Sequence, residues 1–218
     1  MQSDETGVGV KNNGIFKLDI INGNLETVGS EVAIGDEHFY IISNTDGEIT
    51  MLAKYNLEVG NVCTSFSSCT LIENASGIQD LEMIGYPPDG SYPRYGTTAF
   101  SSTNYWSSTV STYPAYVYDS NSTLYNYVES YKTYLESQGV EIEEARLIKV
   151  EELEALGCSM DDLSCSEAPE WVYGTTYWSG SANGSSGILR VLSDSPFSSN
   201  DCFYDYYFGV RPVIVLKS

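Results

Sequence analysis

Basic residues are scarce in this chain of 218: ten Lys and Arg stand against thirty Asp and Glu, giving a net charge of −20 and a pI near 4.1. Such a field repels phosphate backbones and anionic headgroups, which excludes nucleic acid and acidic lipid surfaces as natural partners. Histidine is represented only by His38, which counts against a Ser-His-Asp hydrolase. No apolar run approaches the ~18–20 residues needed to cross a bilayer. The longest, Pro212-Val213-Ile214-Val215-Leu216, is the size of a strand. Neither phosphate-cradling pattern, Gly-x-x-x-x-Gly-Lys or Gly-x-Gly-x-x-Gly, occurs in context. Met1-Gln2-Ser3-Asp4-Glu5 has no basic or apolar signal region, so export would require a targeting segment outside the given sequence.

What is abundant is tyrosine, glycine and serine. The chain has 18 Tyr and 19 Gly, and serine is its most frequent residue. Tyrosine offers rigid contact area at low entropic cost, and Ser and Gly make adaptable loops, the palette of binding surfaces. Hydrophobic residues at 42% and aromatics at 13% are enough for a packed core and too many for a disordered acidic tail.

Four of the five cysteines fall into two local pairs, Cys63 with Cys69 and Cys158 with Cys165. These spacings do not match the tight Cys-x2-Cys knuckles of zinc sites, and His38 is distant, so two loop-closing disulfides are expected and no metal. Disulfides imply an oxidising, extracytoplasmic location. Cys202 is left over, with no basic neighbour in sequence to activate it.

Residues 1–29 read as a polar leader or linker with one hairpin strand around Ile15–Ile21, and residues 30–218 as the main domain. Val32–Ile34, His38–Ser43 and Ile49–Ala53, separated by Gly- and Asp-marked turns, predict an antiparallel meander. Residues 56–115 are loop-rich and punctuated by Pro87-Pro88 and Pro93, more irregular backbone than a compact domain carries without a functional reason. Leu124, Tyr127, Val128, Tyr131, Tyr134 and Leu135 repeat at three-and-four spacing, which predicts an amphipathic helix over 122–139 ending at Gly139. A strand over 145–150, a Glu-rich helix over 150–156 and four further strands, one of them Phe203–Phe208, complete the α+β reading. Tyr105-Trp106-Ser107-Ser108 echoes Tyr177-Trp178-Ser179-Gly180 and marks two similar strand starts.

The order of these elements, with Tyr177-Trp178-Ser179-Gly180-Ser181 and the closing Gly209-Val210-Arg211-Pro212-Val213-Ile214-Val215-Leu216, resembles the C-type-lectin-like fold over residues 30–218. Within that superfamily it is most similar to exported pilin-associated proteins of gut anaerobes. The resemblance implies a first strand paired with the last, setting His38–Ile42 beside Val213–Leu216. Relatives include targets of diversity-generating retroelements, whose varied codons cannot encode Glu, Lys, Gln, Met or Trp. Residues 183–207 contain none of these five types, although the rest of the chain uses them all. The calcium-dependent sugar tripeptides Glu-Pro-Asn and Gln-Pro-Asp of animal lectins do not occur. The reactive cysteine pair that a formylglycine-generating enzyme of this fold needs has no counterpart, since Cys202 stands alone.

The function expected is therefore a non-catalytic, exported, adhesin-like or receptor-like module without a cofactor, recognising a protein or glycan on another cell or phage surface. A pilus subunit is the alternative, ahead of a formylglycine-generating-like enzyme or a carboxylate-based one. The residues expected to meet the ligand are Asn183, Ser185, Arg190, Leu192, Asp194, Asn200, Asp201, Cys202, Tyr204 and Tyr206. Period-two alternation places Tyr204 and Tyr206 on one face, opposite Phe203, Asp205 and Tyr207, with Asn200, Asp201 and Cys202 as an exposed tip. Trp106, Trp178 and Arg211 are assigned to the framework, the guanidinium holding a carboxylate or loop carbonyls.

Overall fold

The computed structural model describes residues 6–11, 14–74, 77–194, 197–205 and 207–217. They form an α+β fold of mostly antiparallel sheet. The strands β1 (Thr6–Lys11), β2 (Gly14–Asn22), β3 (Glu31–Ile34), β4 (Glu37–Thr45) and β5 (Glu48–Ala53) come first, followed by β6 (Gly60–Ser65), β7 (Ser68–Ile72), β8 (Arg94–Thr97) and β9 (Ala115–Tyr116). Then come α1 (Tyr125–Ser137), β10 (Glu144–Leu147), α2 (Val150–Ala155), α3 (Glu170–Tyr173), β11 (Tyr177–Ala182), β12 (Gly187–Val191), β13 (Phe197–Asp201) and β14 (Pro212–Lys217). Seven strands make the main sheet in the order β1-β2-β3-β4-β5-β14-β10, and smaller sheets run β13-β12-β11-β9 and β7-β6-β8.

The meander forms as its turns dictate. Asp46 and Gly47 adopt φ of 54° and 79°, the two left-handed positions of a tight hairpin turn, and fold β5 back against β4. This decides where the last strand goes. β14 pairs with β5, Val213 opposite Leu52 and Leu216 opposite Ile49, and on its other side with β10, so His38–Ile42 do not lie beside Val213–Leu216. β4 is already flanked by β3 and β5, and the open edge belongs to β5.

β14 reads as a continuous apolar run because both faces of the sheet are covered. Ile214 and Leu216 join a core with Phe39, Ile41 and Met51 and with the α1 residues Val128, Tyr131 and Leu135. Val213 and Val215 face a second core with Leu52, Val150, Leu153, Tyr177 and Phe197. Full burial of such a side chain contributes about 1.5–3 kcal/mol. Helix α1 fits its spacing signal, and Gly139 follows it at φ 88° in a position that favours glycine. Helix α2 is capped by Glu152, which accepts from the Lys149 backbone amide at 2.8 Å and takes Arg146 in a fork at 2.6 and 2.8 Å.

The closing motif is framework, for identifiable reasons. Arg211, 1% exposed, donates to the carbonyls of Ala53 (2.6 Å), Trp171 (2.8 Å) and Val172 (2.9 Å), so carbonyls and not a carboxylate saturate it. A Cβ at Gly209 would sit 2.2 Å from Nδ2 of the buried Asn56, which donates to the carbonyls of Met83 and Thr176. Trp178 donates through its indole to the Thr98 carbonyl and Trp106 to that of Gly184, and both are buried. The two similar tetrapeptides nevertheless differ in form: Tyr105–Ser108 is a 3-10 turn, not a strand start, whereas Tyr177 opens β11.

Both expected disulfides are present. Cys63–Cys69 bridges directly opposed positions of the β6–β7 hairpin, and Cys158–Cys165 closes the loop after α2. They indicate an oxidising, extracytoplasmic environment. No helix among the described residues is long and apolar enough to cross a membrane.

Candidate functional site

The β12–β13 hairpin organises the site. Its register sets Arg190 opposite Ser198 and Ile188 opposite Asn200, so by strand alternation Arg190, Ser198, Asn200 and the following Leu192 share one face. Leu189, Val191 and Phe197 point the other way and are buried in the second core. That apolar face anchors the hairpin; on the other face Ile188 is buried in the first core, and Arg190, Leu192, Ser198 and Asn200 form the partly exposed stretch.

The segment after β13 differs from the expected strand. Pairing ends at Asp201, opposite Gly187, the first residue of β12, and residues 203–205, 207 and 208 lie outside any strand because β12 supplies no further partner. The loop is pinned at its ends: the Ser101 amide donates to the Cys202 carbonyl and the Thr98 amide to the Phe208 carbonyl. Between them, Phe203 and Tyr204 are 49% and 42% exposed. Alternation therefore fails here, and Tyr207, assigned to the opposite side, comes to lie with Tyr204 at 5.6 Å between ring centroids.

Together these segments and the loop after Gly85 enclose an open cleft of ≈ 370 Å³ lined by Tyr86, Arg190, Leu192, Asn200, Tyr204 and Tyr207. Its size falls within the usual range for small-molecule sites. The Tyr86 and Tyr207 rings pack at 5.1 Å. Behind them lies the buried Arg94, its guanidinium 4.5 Å from the Tyr86 ring, 4.4 Å from that of Tyr207 and 4.5 Å from that of Tyr92. Desolvated cation–π contacts of this kind are worth up to about 2 kcal/mol and fix the walls. The Tyr86 carbonyl accepts from Thr176 Oγ1 at 3.1 Å, which ties that wall to the sheet.

Arg190 forms the floor. Its guanidinium lies 4.6 Å from the Phe208 ring, and Nε donates to Ser198 Oγ at 3.0 Å. Burial lowers its pKa from the ordinary 12.5, with the Asp194 charge acting in the opposite sense. The cleft thus combines one cation, an amide and three phenols with aromatic walls.

Of the ten residues expected to meet a ligand, the structure gathers Arg190, Leu192, Asn200 and Tyr204 around this cleft. Asn183 and Ser185 are exposed on the turn joining β11 to β12, and Asp194 is exposed beyond β12. Asp201 is exposed at the other end of the hairpin and accepts from Ser186 Oγ at 2.8 Å. Cys202 is not at an exposed tip. It is fully buried in the first core with Ile188, since the Arg190–Asn200 face turns inward at this end of the hairpin, and burial pushes its thiol up to about 11. Tyr206 lies outside the described residues. Sequence reasoning missed Tyr86, Tyr207 and Arg94. The only signal for Tyr86 is its place in the Gly85-Tyr86-Pro87-Pro88 stretch of the long irregular segment.

A second, smaller concavity of ≈ 170 Å³ includes Tyr40, Lys54, Tyr55, Leu81 and Trp171. Here Tyr40 and Trp171 stack at 4.7 Å, and Lys54 is ion-paired to Glu31 at 2.8 Å. Among the described residues no group of three or more His, Cys, Asp and Glu converges as metal ligands would. Comparison of the chain with protein-family models, curated proteins and solved structures finds no match.

Proposed function

We propose that the protein is a non-catalytic, extracytoplasmic ligand-binding module, of adhesin or receptor type, with a C-type-lectin-like architecture. The reading places it at a cell surface or on a pilus, where it would meet a protein or glycan of another cell or a phage. The observation that carries it is the tyrosine-walled cleft on the partly exposed stretch of the β12–β13 hairpin. Among the described residues the lining offers π faces and hydrogen-bond donors and contains no Asp, Glu, His or Cys, a composition suited to holding a ligand more than to acid–base chemistry. Five of the six lining positions named above, Arg190, Leu192, Asn200, Tyr204 and Tyr207, belong to the 183–207 segment, whose restricted residue set fits codon diversification of the binding face. Tyr86, outside that segment, with Arg94 packed against its ring, would then serve as the rigid surround against which the varied side chains are displayed.

Glycan-array and whole-cell binding assays with the wild type and Tyr204→Ala test the proposal. Tyr204 is partly exposed and outside both cores, so its removal leaves the fold intact. The expected result is selective binding by the wild type and a loss of about tenfold or more in the variant, as for an aromatic hot spot. Equal binding by both proteins, or turnover of a bound substrate, would overturn it.

A further inference from the structure

Three buried or half-buried arginines of the two cores and the cleft differ in what satisfies them. Arg146 is held by Glu144 and by a fork from Glu152, and Arg211 by three carbonyls. Arg190 differs. Only its Nε is used, by Ser198, and among the described residues neither terminal amine has a protein acceptor. No carboxylate among them stands in ion-pair contact with it, in a chain with thirty acidic residues. The Phe208 ring beneath and the Ser198 bond fix the guanidinium plane, so the unused edge has a set direction within the cleft.

From this geometry we propose that the cleft takes a single acidic sugar unit of uronic-acid type, whose carboxylate accepts the two terminal amines of Arg190. A planar guanidinium edge and a carboxylate match as parallel hydrogen bonds, stronger than neutral pairs. The tyrosine rings at Tyr86, Tyr204 and Tyr207 provide faces for the apolar side of a sugar ring, and the Asn200 amide both donates and accepts, as sugar hydroxyls require. The net charge of −20 disfavours a polyanion. One acidic unit within an otherwise neutral glycan satisfies both the local cation and the global field. The inference rests on the proposed binding role and specifies its ligand.

The test is calorimetric titration of the whole chain with methyl glucuronide, methyl glucoside, sodium sulfate and a short neutral peptide with a free C-terminal carboxylate. Wild type is expected to bind the glucuronide, the glucoside at least about tenfold more weakly, and Arg190→Gln to lose about tenfold or more toward the glucuronide, the scale of a hydrogen bond to a charged group. Arg190→Lys keeps a charge over Phe208 without the planar edge and is expected to lose binding as well. It provides the readout if Arg190→Gln does not fold. Equal affinity for glucoside and glucuronide, tighter binding of sulfate or peptide, or retention of affinity in the arginine variants would overturn the inference. Failure of this inference is separable from failure of the binding role: an array ligand that depends on Tyr204 and not on Arg190 removes only the acidic sugar.

Discussion

At the scale of single residues, the fold depends on a few buried polar groups that are each fully matched. Glu37 is 4% exposed and accepts from the Tyr131 hydroxyl at 2.7 Å and the Gln79 amide at 2.9 Å, while the Gln79 side chain donates to Tyr131 and to the His38 carbonyl. Burial raises the Glu37 pKa above its ordinary 4.5 despite these bonds, and it pushes the Tyr131 hydroxyl well above its ordinary range. The folded state therefore holds the Glu37 proton more tightly than the unfolded chain, so this group lowers stability as pH rises from about 4.5 through its raised pKa. Glu31 acts in the opposite sense: burial alone would raise it, the Lys54 and His38 hydrogen bonds outweigh burial, and its contribution is lost as pH falls. Denaturant midpoints of the wild type and Glu37→Gln from pH 4 to 7 isolate the first effect. The wild type is expected to lose stability relative to the variant as pH rises across this window, and a constant difference would contradict the assignment. The roles of Arg211 and Trp178 were legible from sequence because a conspicuous polar or aromatic residue between apolar strands has few ways to be satisfied. The burial of Cys202 was not, since it depends on where the hairpin ends.

At the scale of elements, local signals held where local physics decides. Helix α1 follows its three-and-four spacing, the β3–β5 meander its Asp and Gly turns, and both disulfides their short separations. Signals failed where a partner strand decides. The strand expected at 203–208 lies instead at 197–201, where β12 supplies a ladder, and β14 joins β5 because that edge is open. For the same reason Tyr86 and Tyr207, distant in sequence, could not be recognised as two walls of one cleft. Mass spectrometry without reductant is expected to find cystines 63–69 and 158–165 and one thiol, Cys202, that resists alkylation until the chain is denatured. Five free thiols would remove the argument for an oxidising location. Closing loops of this length stabilises by about 2 kcal/mol each, so Cys158→Ser with Cys165→Ser should lower the unfolding free energy by that order.

At the scale of the whole molecule, a strongly acidic body carries a cleft with one lining cation, Arg190, and a second, Arg94, packed against its tyrosine walls. The main sheet and the Cys158–Cys165 cystine share the second core with Leu189, Val191 and Phe197 of the β12–β13 hairpin, which holds that hairpin from one side. The measurement that bears most directly on this account is a heteronuclear NMR titration of the intact chain with a ligand selected on the array, followed by recovery of that ligand. The account predicts shifts concentrated at Tyr86, Arg190, Asn200, Tyr204 and Tyr207, and a ligand recovered chemically unchanged. Shifts centred elsewhere, or a ligand consumed during the titration, would contradict it.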